Sequence, residues 1–452
     1  MVAENKQGYQ HSIKRVLVVG SWAKGQITVE NLRIRNLNIN IFAYMSVKNL
    51  AIISLVDGYK IGRFDKTNDI VEYARKQRID LVIVTTAEPL SLGLVDALKK
   101  EKIKAFGPTK QAARLESDKA FMRELMRKYK IDGIPQFQVF DNADAAIQYA
   151  KKLGWNVAVK PVGLTEGLGV KVFRDQLKTK EDVIKYIHQI FNEKGDSKVL
   201  IEEKLIGEEF TIQCLVNGNH IIPTSAVQDF KKLLPDEKGP NTASMGSYSA
   251  ANQLLPFMKQ EDYIKALDII MKTLDAFHSE TGDICQGFLY GQFMITKDGI
   301  KLIEYNFRPG DPEWMNTMYV LKNNILDVIT RLLSGEEVSL QFENKATVCK
   351  YIVPRNYPKK LYEALDVSFK EGEIKTEGVN IYYSCGIDDH GRLNIGSERG
   401  IAFIAKDNTI FDANTKVEKA ISLVKGKIYH RNDIGTKELI ESKIIHVGRL
   451  RK

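Results

Sequence analysis

The chain has 452 residues, 44% of them hydrophobic and 27% charged, a length that gives about three domains with a core each. No apolar run approaches the ~20 residues of a membrane span, and the start, MVAENKQGYQHSIKR, lacks the apolar core of a signal peptide, so a cytoplasmic protein without a membrane partner is expected. The net charge of +9 is spread among interleaved acids with no basic, aromatic-studded block, which argues against a nucleic-acid partner and suits an anionic small-molecule substrate.

Residues 15–20 (RVLVVG) read as a buried strand ending in glycine, and 80–85 (DLVIVT) as another, with helical periodicity over 69–78 before it. A short strand at 103–107 closes an open α/β domain, 1–108, whose ligands belong at the carboxyl ends of its strands. The loop 21–25 (SWAKG) lies at such an end, with a helix expected from about residue 27. Residues 110–130 predict one long amphipathic helix opening a second domain, 109–345. Within it, 157–160 and 199–203 read as strands around a charged helix at 180–193, in a lid subdomain of about 133–205. Residues 210–216 and 220–225 form a hairpin around Asn217-Gly218, a long helix covers 261–280, and 290–296 with 301–305 make a hairpin on Lys297-Asp298-Gly299. The last domain, 346–452, reads as α+β, with short strands and a final helix at 413–424. Cys214, Cys285, Cys349 and Cys385 lie far apart in no C-x-x-C spacing, which predicts ordinary buried thiols.

The stretch 303–313 (IEYNFRPGDPE) carries the most chemistry. In an extended chain, residues i and i+2 point the same way, so Glu304 and Asn306 share a face and suit one hard cation such as Mg²⁺. Arg308 follows on that face as a grip for phosphate or carboxylate, and Asp311 and Glu313 add acids. A solvated edge strand is the competing reading, and it fits the end of a buried hairpin less well. Upstream, Lys160 ends a strand before a loop with Gly163, Gly167 and Gly169, where backbone N–H groups can approach phosphate. Glycine-rich and without a packed apolar face, that loop is expected to be mobile when empty and to order when its phosphate-bearing nucleotide binds. In 201–210 (IEEKLIGEEF), Glu202, Glu203 and Glu209 are placed to bond an adenine amino group and a ribose hydroxyl, with a solvated strand end as the alternative.

Order and content of these segments resemble the ATP-grasp superfamily and, within it, the phosphoribosylamine-glycine ligases of purine synthesis. The resemblance runs through GPTKQAARLESDKAFM (107–122), VKPVGLTEGLGV (159–170), LIEEKLIGEEFTI (200–212), QDFKKLLPDEKGPNTASMGSYS (228–249), GFLYGQFMI (287–295) and IEYNFRPGDPE (303–313), and more weakly through 397–421 and 429–435. It implies an N-terminal α/β domain, an ATP-grasp domain with a mobile lid, and ATP held between two subdomains. It implies a carboxylate, glycine or another, activated as an acyl phosphate and captured by a phosphorylated amine. Lys119 and Lys160 would then contact the α- and β-phosphates, Glu202 and Leu205 would border adenine, and Glu209 would hold the ribose. Glu304 and Asn306 would bind Mg²⁺ or Mn²⁺, while Asp229, Lys231, Asn241 and Arg308, with Asp311, would face the acyl phosphate and acceptor.

The chain departs from the family most in its first loop. A Gly-Asn-Gly-Gly-Arg-Glu-His-like turn becomes Gly20 followed by Ser21, Trp22, Ala23 and Lys24, so Lys24 and Gly25 have to rebuild any phosphate site. Residues 42–49 lack a Pro-Gly-Asn turn, Thr85-Thr86-Ala87-Glu88-Pro89-Leu90 stands for Gly-Pro-Glu-Ala-Pro-Leu, Leu168 takes a position that is usually lysine, and 242–246 (TASMG) replaces Gly-Gly-Met-Gly. The nucleotide half is kept better than the amine half. Two other readings stay open: the same ligase chemistry on another amine, and a nucleotide-binding homologue without turnover. The oligomeric state is not legible.

Overall fold

The computed structural model describes residues 13–163, 169–194, 198–358, 367–387, 393–394 and 399–452. The chain opens with a parallel sheet of β1 (Arg15–Val19), β2 (Asn40–Met45), β3 (Gly58–Ile61), β4 (Leu81–Val84) and β5 (Lys104–Phe106), in the order β3-β2-β1-β4-β5. Both faces of β1 and β4 are covered, so their sequences are continuous apolar runs. The strand order reverses between β1 and β4, and the loops leaving that switch point carry Gly20 and Thr85. A Cβ on Gly20 would lie 2.0 Å from Thr85 Oγ1, so only glycine fits there. The next helix, Ala23–Arg35, starts ahead of the expected residue 27 and takes Lys24 and Gly25 into its first turn.

Residues 110–130 do not form one helix. Arg114–Ser117 and Lys119–Lys128 meet at Asp118, whose carboxylate accepts the Phe121 amide at 2.9 Å as an N-cap. The break sets Lys119 at a helix N-terminus. A small sheet of β6 (Phe137–Phe140), β7 (Val157–Pro161), β8 (Lys171–Val172) and β9 (Val199–Glu203) follows, ordered β6-β9-β7-β8. Helices Ala143–Lys152 and Lys180–Lys194 cover it through Ala146, Ala150, Val183 and Ile187.

The central part continues with β10 (Gly207–Asn217), β11 (His220–Pro223), the short β12 (Gln228–Asp229), β13 (Lys232–Leu234), β14 (Lys238–Asn241) and β15 (Gly246–Ser249), then the long β16 (Gln286–Thr296) and β17 (Gly299–Asn306). Strands β11-β10-β16-β17 form one antiparallel sheet whose two hairpins turn where expected, after Asn217 and at Lys297-Asp298. The helix Gln260–Thr281 backs this sheet, where Tyr305 donates its hydroxyl to Thr273 Oγ1 at 3.0 Å.

In the last part, β18 (Ala346–Pro354) pairs with Ile401–Asp407 on one side and with β15 on the other. The C-terminal sheet therefore draws in β12 and β15, and the boundary expected at 345 falls inside it. The chain does not end in the helix Ile410–Ser422. A further helix, Lys437–Leu450, packs on β10, with His446 Nδ1 2.6 Å and Lys443 Nζ 3.0 Å from the Glu208 carboxylate. All four cysteines are buried. Among the described residues no helix is long and apolar enough to cross a membrane.

Candidate active site

The small sheet and the central sheet approach each other where β7 meets β17, and a bulge shapes the contact. Gln292 pairs with Glu304 but Phe293 pairs with Leu302, which leaves Ile303 as the extra residue. A bulged residue loses its ladder partner. The Ile303 carbonyl instead accepts from Arg123 Nη2 at 2.7 Å and from Lys160 Nζ at 3.3 Å. Asn306 Nδ2 donates to Glu304 Oε1 at 3.4 Å, and Asn306 Oδ1 accepts from Arg308 Nη2 at 3.1 Å, so all three gather as the i, i+2 spacing requires. Lys231 Nζ lies 4.0 Å from Glu304. Burial opposes a charged Glu304, but Lys231, then Lys119 and Lys160, outweigh it and hold the carboxyl below its ordinary range.

Lys119 donates to the Gly163 carbonyl at 3.0 Å, which ties its helix to the loop after β7. Burial pulls the Lys119 pKa down against the attraction of Glu304. Glu202, expected to border adenine, has both oxygens engaged elsewhere. Arg123 Nε reaches Oε1 at 2.6 Å and Lys160 Nζ reaches Oε2 at 2.7 Å, with all three side chains buried. The geometry makes Glu202 the counter-ion that fixes Lys160, in partnership with Arg123. Sequence reasoning missed Arg123, because nothing in its own helix marks it as facing β9. Leu205 lies half-buried in the connection between β9 and β10. Glu209, on β10, accepts from Gln292 Nε2 at 2.5 Å. Gly169 receives the Tyr186 hydroxyl at 2.6 Å, while Gly167 and Leu168 lie outside the described residues.

On the other side of Glu304 sits the set assigned to acyl phosphate and acceptor. Asp229 accepts a hydrogen bond from the Ser244 hydroxyl. Burial, with Glu313 beside it, pushes the Asp229 carboxyl up to about 8. Ser244 has φ +106°, a left-handed conformation in a stretch where the family carries glycines, so a strained residue here supplies a hydroxyl that glycine lacks. Lys231 faces Asp229, Glu209 and Glu304 together, and their charges raise its pKa against the effect of burial. Asn241 ends β14 opposite Lys232. Asp311 is held rather than presented: Arg399 Nη2 contacts Oδ1 at 2.9 Å and the Tyr351 hydroxyl donates to the same oxygen at 2.5 Å. Arg308 Nε lies 3.6 Å from Glu116, a second residue the sequence reading did not include.

Lys24 reaches this cluster from the N-terminal domain. It is buried and donates to the Pro309 carbonyl at 3.3 Å. Burial, followed by the nearby Arg308, lowers its pKa to about 7. Trp22, by contrast, is only half-buried as the N-cap residue of its helix.

Residues 14–116 match the family described as phosphoribosylglycinamide synthetase, N domain, and 117–314 match phosphoribosylglycinamide synthetase, ATP-grasp (A) domain. The phosphoribosylamine-glycine ligase of Methanosphaera stadtmanae is 39% identical over 440 residues, covering 97% of this chain and 100% of the relative. The chain belongs to the phosphoribosylamine-glycine ligase family. The enzyme of that name from Methanocaldococcus jannaschii is likewise 39% identical, over 97% of this chain and 100% of its own. Among solved structures, the phosphoribosylamine-glycine ligase of Thermotoga maritima aligns with a TM-score of 0.76 at 22% identity, covering 93% of this chain and 100% of that one. The biotin carboxylase domain of Hydrogenobacter thermophilus 2-oxoglutarate carboxylase, solved with MgADP, ADP and bicarbonate, aligns with a TM-score of 0.70 at 15% identity over 97% of this chain and 98% of its own. These two likenesses establish the shared ATP-grasp fold. The family boundary at residue 116 falls beside Lys119, in the helix pair that Asp118 interrupts.

Proposed function

We propose that this chain is an ATP-dependent, ADP-forming ligase that joins glycine to 5-phosphoribosylamine and gives glycinamide ribonucleotide. The observation that carries the reading is the ring of Lys119, Lys160 and Lys231 around Glu304, whose charge all three stabilise. Lysines from three separate segments, interleaved with the carboxylates of Glu202, Glu209 and Glu304, are the mix that receives a triphosphate together with a divalent cation, and the relatives that bear the ligase name cover 97% of this chain. The γ-phosphoryl group passes to the glycine carboxylate as its bond to ADP breaks. The amine nitrogen then attacks the acyl carbon, and the bond to phosphate breaks. Anions meet in the first step, so charge neutralisation and positioning carry the catalysis. Arg308, steadied by Glu116, grips the acyl phosphate. Asp229 takes the proton that the attacking nitrogen loses.

Glu304 and Asn306 fit a divalent cation, Mg²⁺ or Mn²⁺. An ionised carboxylate and an amide oxygen on one face are hard donors, and the nucleotide phosphates would complete the shell. The cation, when bound, would screen phosphate charge. Asn306 would turn its amide so that Oδ1 leaves Arg308 for the metal, a change that keeps the side chain's outline.

The test is ADP release from ATP and Mg²⁺ with glycine and freshly made phosphoribosylamine, against a panel of other amines. Turnover with another amine alone would favour the second reading, which the altered 20–25 loop supports. Lys24 separates the two at residue level. If its ammonium holds a phosphorylated acceptor, Lys24→Ala raises the acceptor KM by about 10-fold, the value of one charge-assisted bond, and leaves the ATP KM unchanged. Because the free amine titrates near 7, the wild-type acceptor KM should climb as pH rises through neutrality, and the variant's should not. An unchanged acceptor KM in the variant would point to an unphosphorylated amine.

A further inference from the structure

We propose that Gln292 is a positioning residue that locks Glu209 and Lys231 into one geometry and so makes the enzyme prefer a ribonucleotide to its 2′-deoxy form. The inference rests on the nucleotide site described above. Gln292 is 2% exposed on β16, opposite Glu304 at the bulge. Its Nε2 donates to Glu209 Oε2 at 2.5 Å, and its Oε1 accepts from Lys231 Nζ at 2.6 Å. Lys231 in turn lies 4.0 Å from Glu304. One carboxamide thus links the residue assigned to the ribose with a lysine beside the phosphoryl groups.

The choice of side chain follows from this double duty. A carboxamide is a donor at one end and an acceptor at the other, so each bond fixes the orientation that the other needs. A glutamate here would keep the acceptor for Lys231 but set a second carboxylate against Glu209. A methionine of similar shape would lose both bonds. With Oε2 occupied by Gln292, Glu209 keeps Oε1 for a ribose hydroxyl, and its rotamer is held before nucleotide arrives. Preorganisation of that kind favours the ligand whose hydroxyl meets the waiting acceptor, since the deoxy analogue leaves a buried carboxylate oxygen unpaired.

The two bonds predict separable losses. Gln292→Met should lower kcat/KM with ATP by at least about 10-fold and with 2′-deoxyATP by less, so the ratio between the two nucleotides falls. Gln292→Glu should also lower that ratio, with a smaller loss of kcat than Gln292→Met, because Lys231 retains its acceptor. Calorimetric Kd values for ADP and 2′-deoxyADP, taken without glycine or acceptor, should show the same loss of preference. That readout stands even if phosphoribosylamine proves not to be the substrate, so failure of the ligase reading and failure of this proposal are distinguishable. Wild-type protein that binds ADP and 2′-deoxyADP equally well overturns the proposal. So do folded Met and Glu variants, judged by unchanged Tm, that keep the wild-type ratio. If Gln292→Met fails to fold, the Glu variant and the wild-type preference carry the test.

Discussion

Glu304→Ala is expected to reduce ADP formation by on the order of 10³-fold or more, the scale of a lost electrostatic stabiliser in a water-poor site, without unfolding the protein. The carboxylate sits at the end of β17, beyond the bulge and off the core face that Tyr305 occupies, so its removal opens no apolar cavity. Its loss does leave Lys119, Lys160 and Lys231 without the charge that they share. Lys160 keeps Glu202 at 2.7 Å and Lys231 keeps Gln292 at 2.6 Å, so neither is stranded. The phosphates of ATP would themselves satisfy the lysines, and nucleotide affinity measured without metal should hold or improve. What collapses is the dependence on divalent cation, because only Asn306 of the pair remains. Glu304→Gln, which preserves shape and polarity, should be nearly as inactive. ADP release across a Mg²⁺ titration, with circular dichroism melting alongside, decides the matter. A variant that unfolds, or that keeps more than a few per cent of wild-type turnover at saturating Mg²⁺, removes Glu304 from the metal site.

The parts of this site that were legible in the sequence follow local rules. Alternation along a strand put Glu304 and Asn306 together, and an Asp-Gly turn located the hairpin that carries them. What escaped depends on the partner strand. The bulge at Ile303 is a property of two strands in register, and no feature of either strand alone marks it. That the Glu202 side chain is paired with Arg123 could not be read, because Arg123 stands 79 positions away on a helix. Lys24 was placed correctly after the first strand, but its burial arises from Pro309 and Arg308, near the far end of the central part.

Other misses had signals in the chain. Asp118 divides the expected 110–130 helix because an aspartate just ahead of an apolar, basic helix is a better cap than interior residue. The helix Lys437–Leu450 was overlooked although Thr436 caps it through the Leu439 amide and apolar residues recur at 439, 440, 444 and 447. Residues 40–45 receive no element in the sequence reading, although the residues of β2 (NIFAYM) favour strand strongly. Pairing crosses the boundary at 345, because β12 and β15 belong by sequence to the central part and by pairing to the last sheet.

Asp229→Asn is expected to make the protein more stable and much less active, and pH is the instrument that separates the two effects. The Asp229 carboxyl is raised from 3.8 to about 8, first by burial and then by Glu313, with Lys231, the Ser244 hydroxyl and Arg399 pulling the other way. A raised carboxyl binds a proton in the folded state that the unfolded state has already released. Between about pH 4 and 8, therefore, wild-type stability falls as pH rises, and above that window the penalty is constant. Asparagine carries no such proton and removes the slope. The variant should match wild type near pH 4 and gain on it steadily to pH 8, by on the order of a few kcal/mol. Its Oδ1 still accepts from Ser244, so the local geometry is kept. Activity moves the opposite way. If the ionised carboxylate takes the proton of the attacking amine, wild-type kcat rises with pH through about 8, whereas the variant is slower by roughly 10²- to 10³-fold and flat across the same range. Melting curves at several pH values and a pH profile of product formation under saturating substrates give both readouts. A variant less stable than wild type at pH 7, or one whose rate still climbs through pH 8, would show that Asp229 is not the buried, proton-accepting group that this geometry describes.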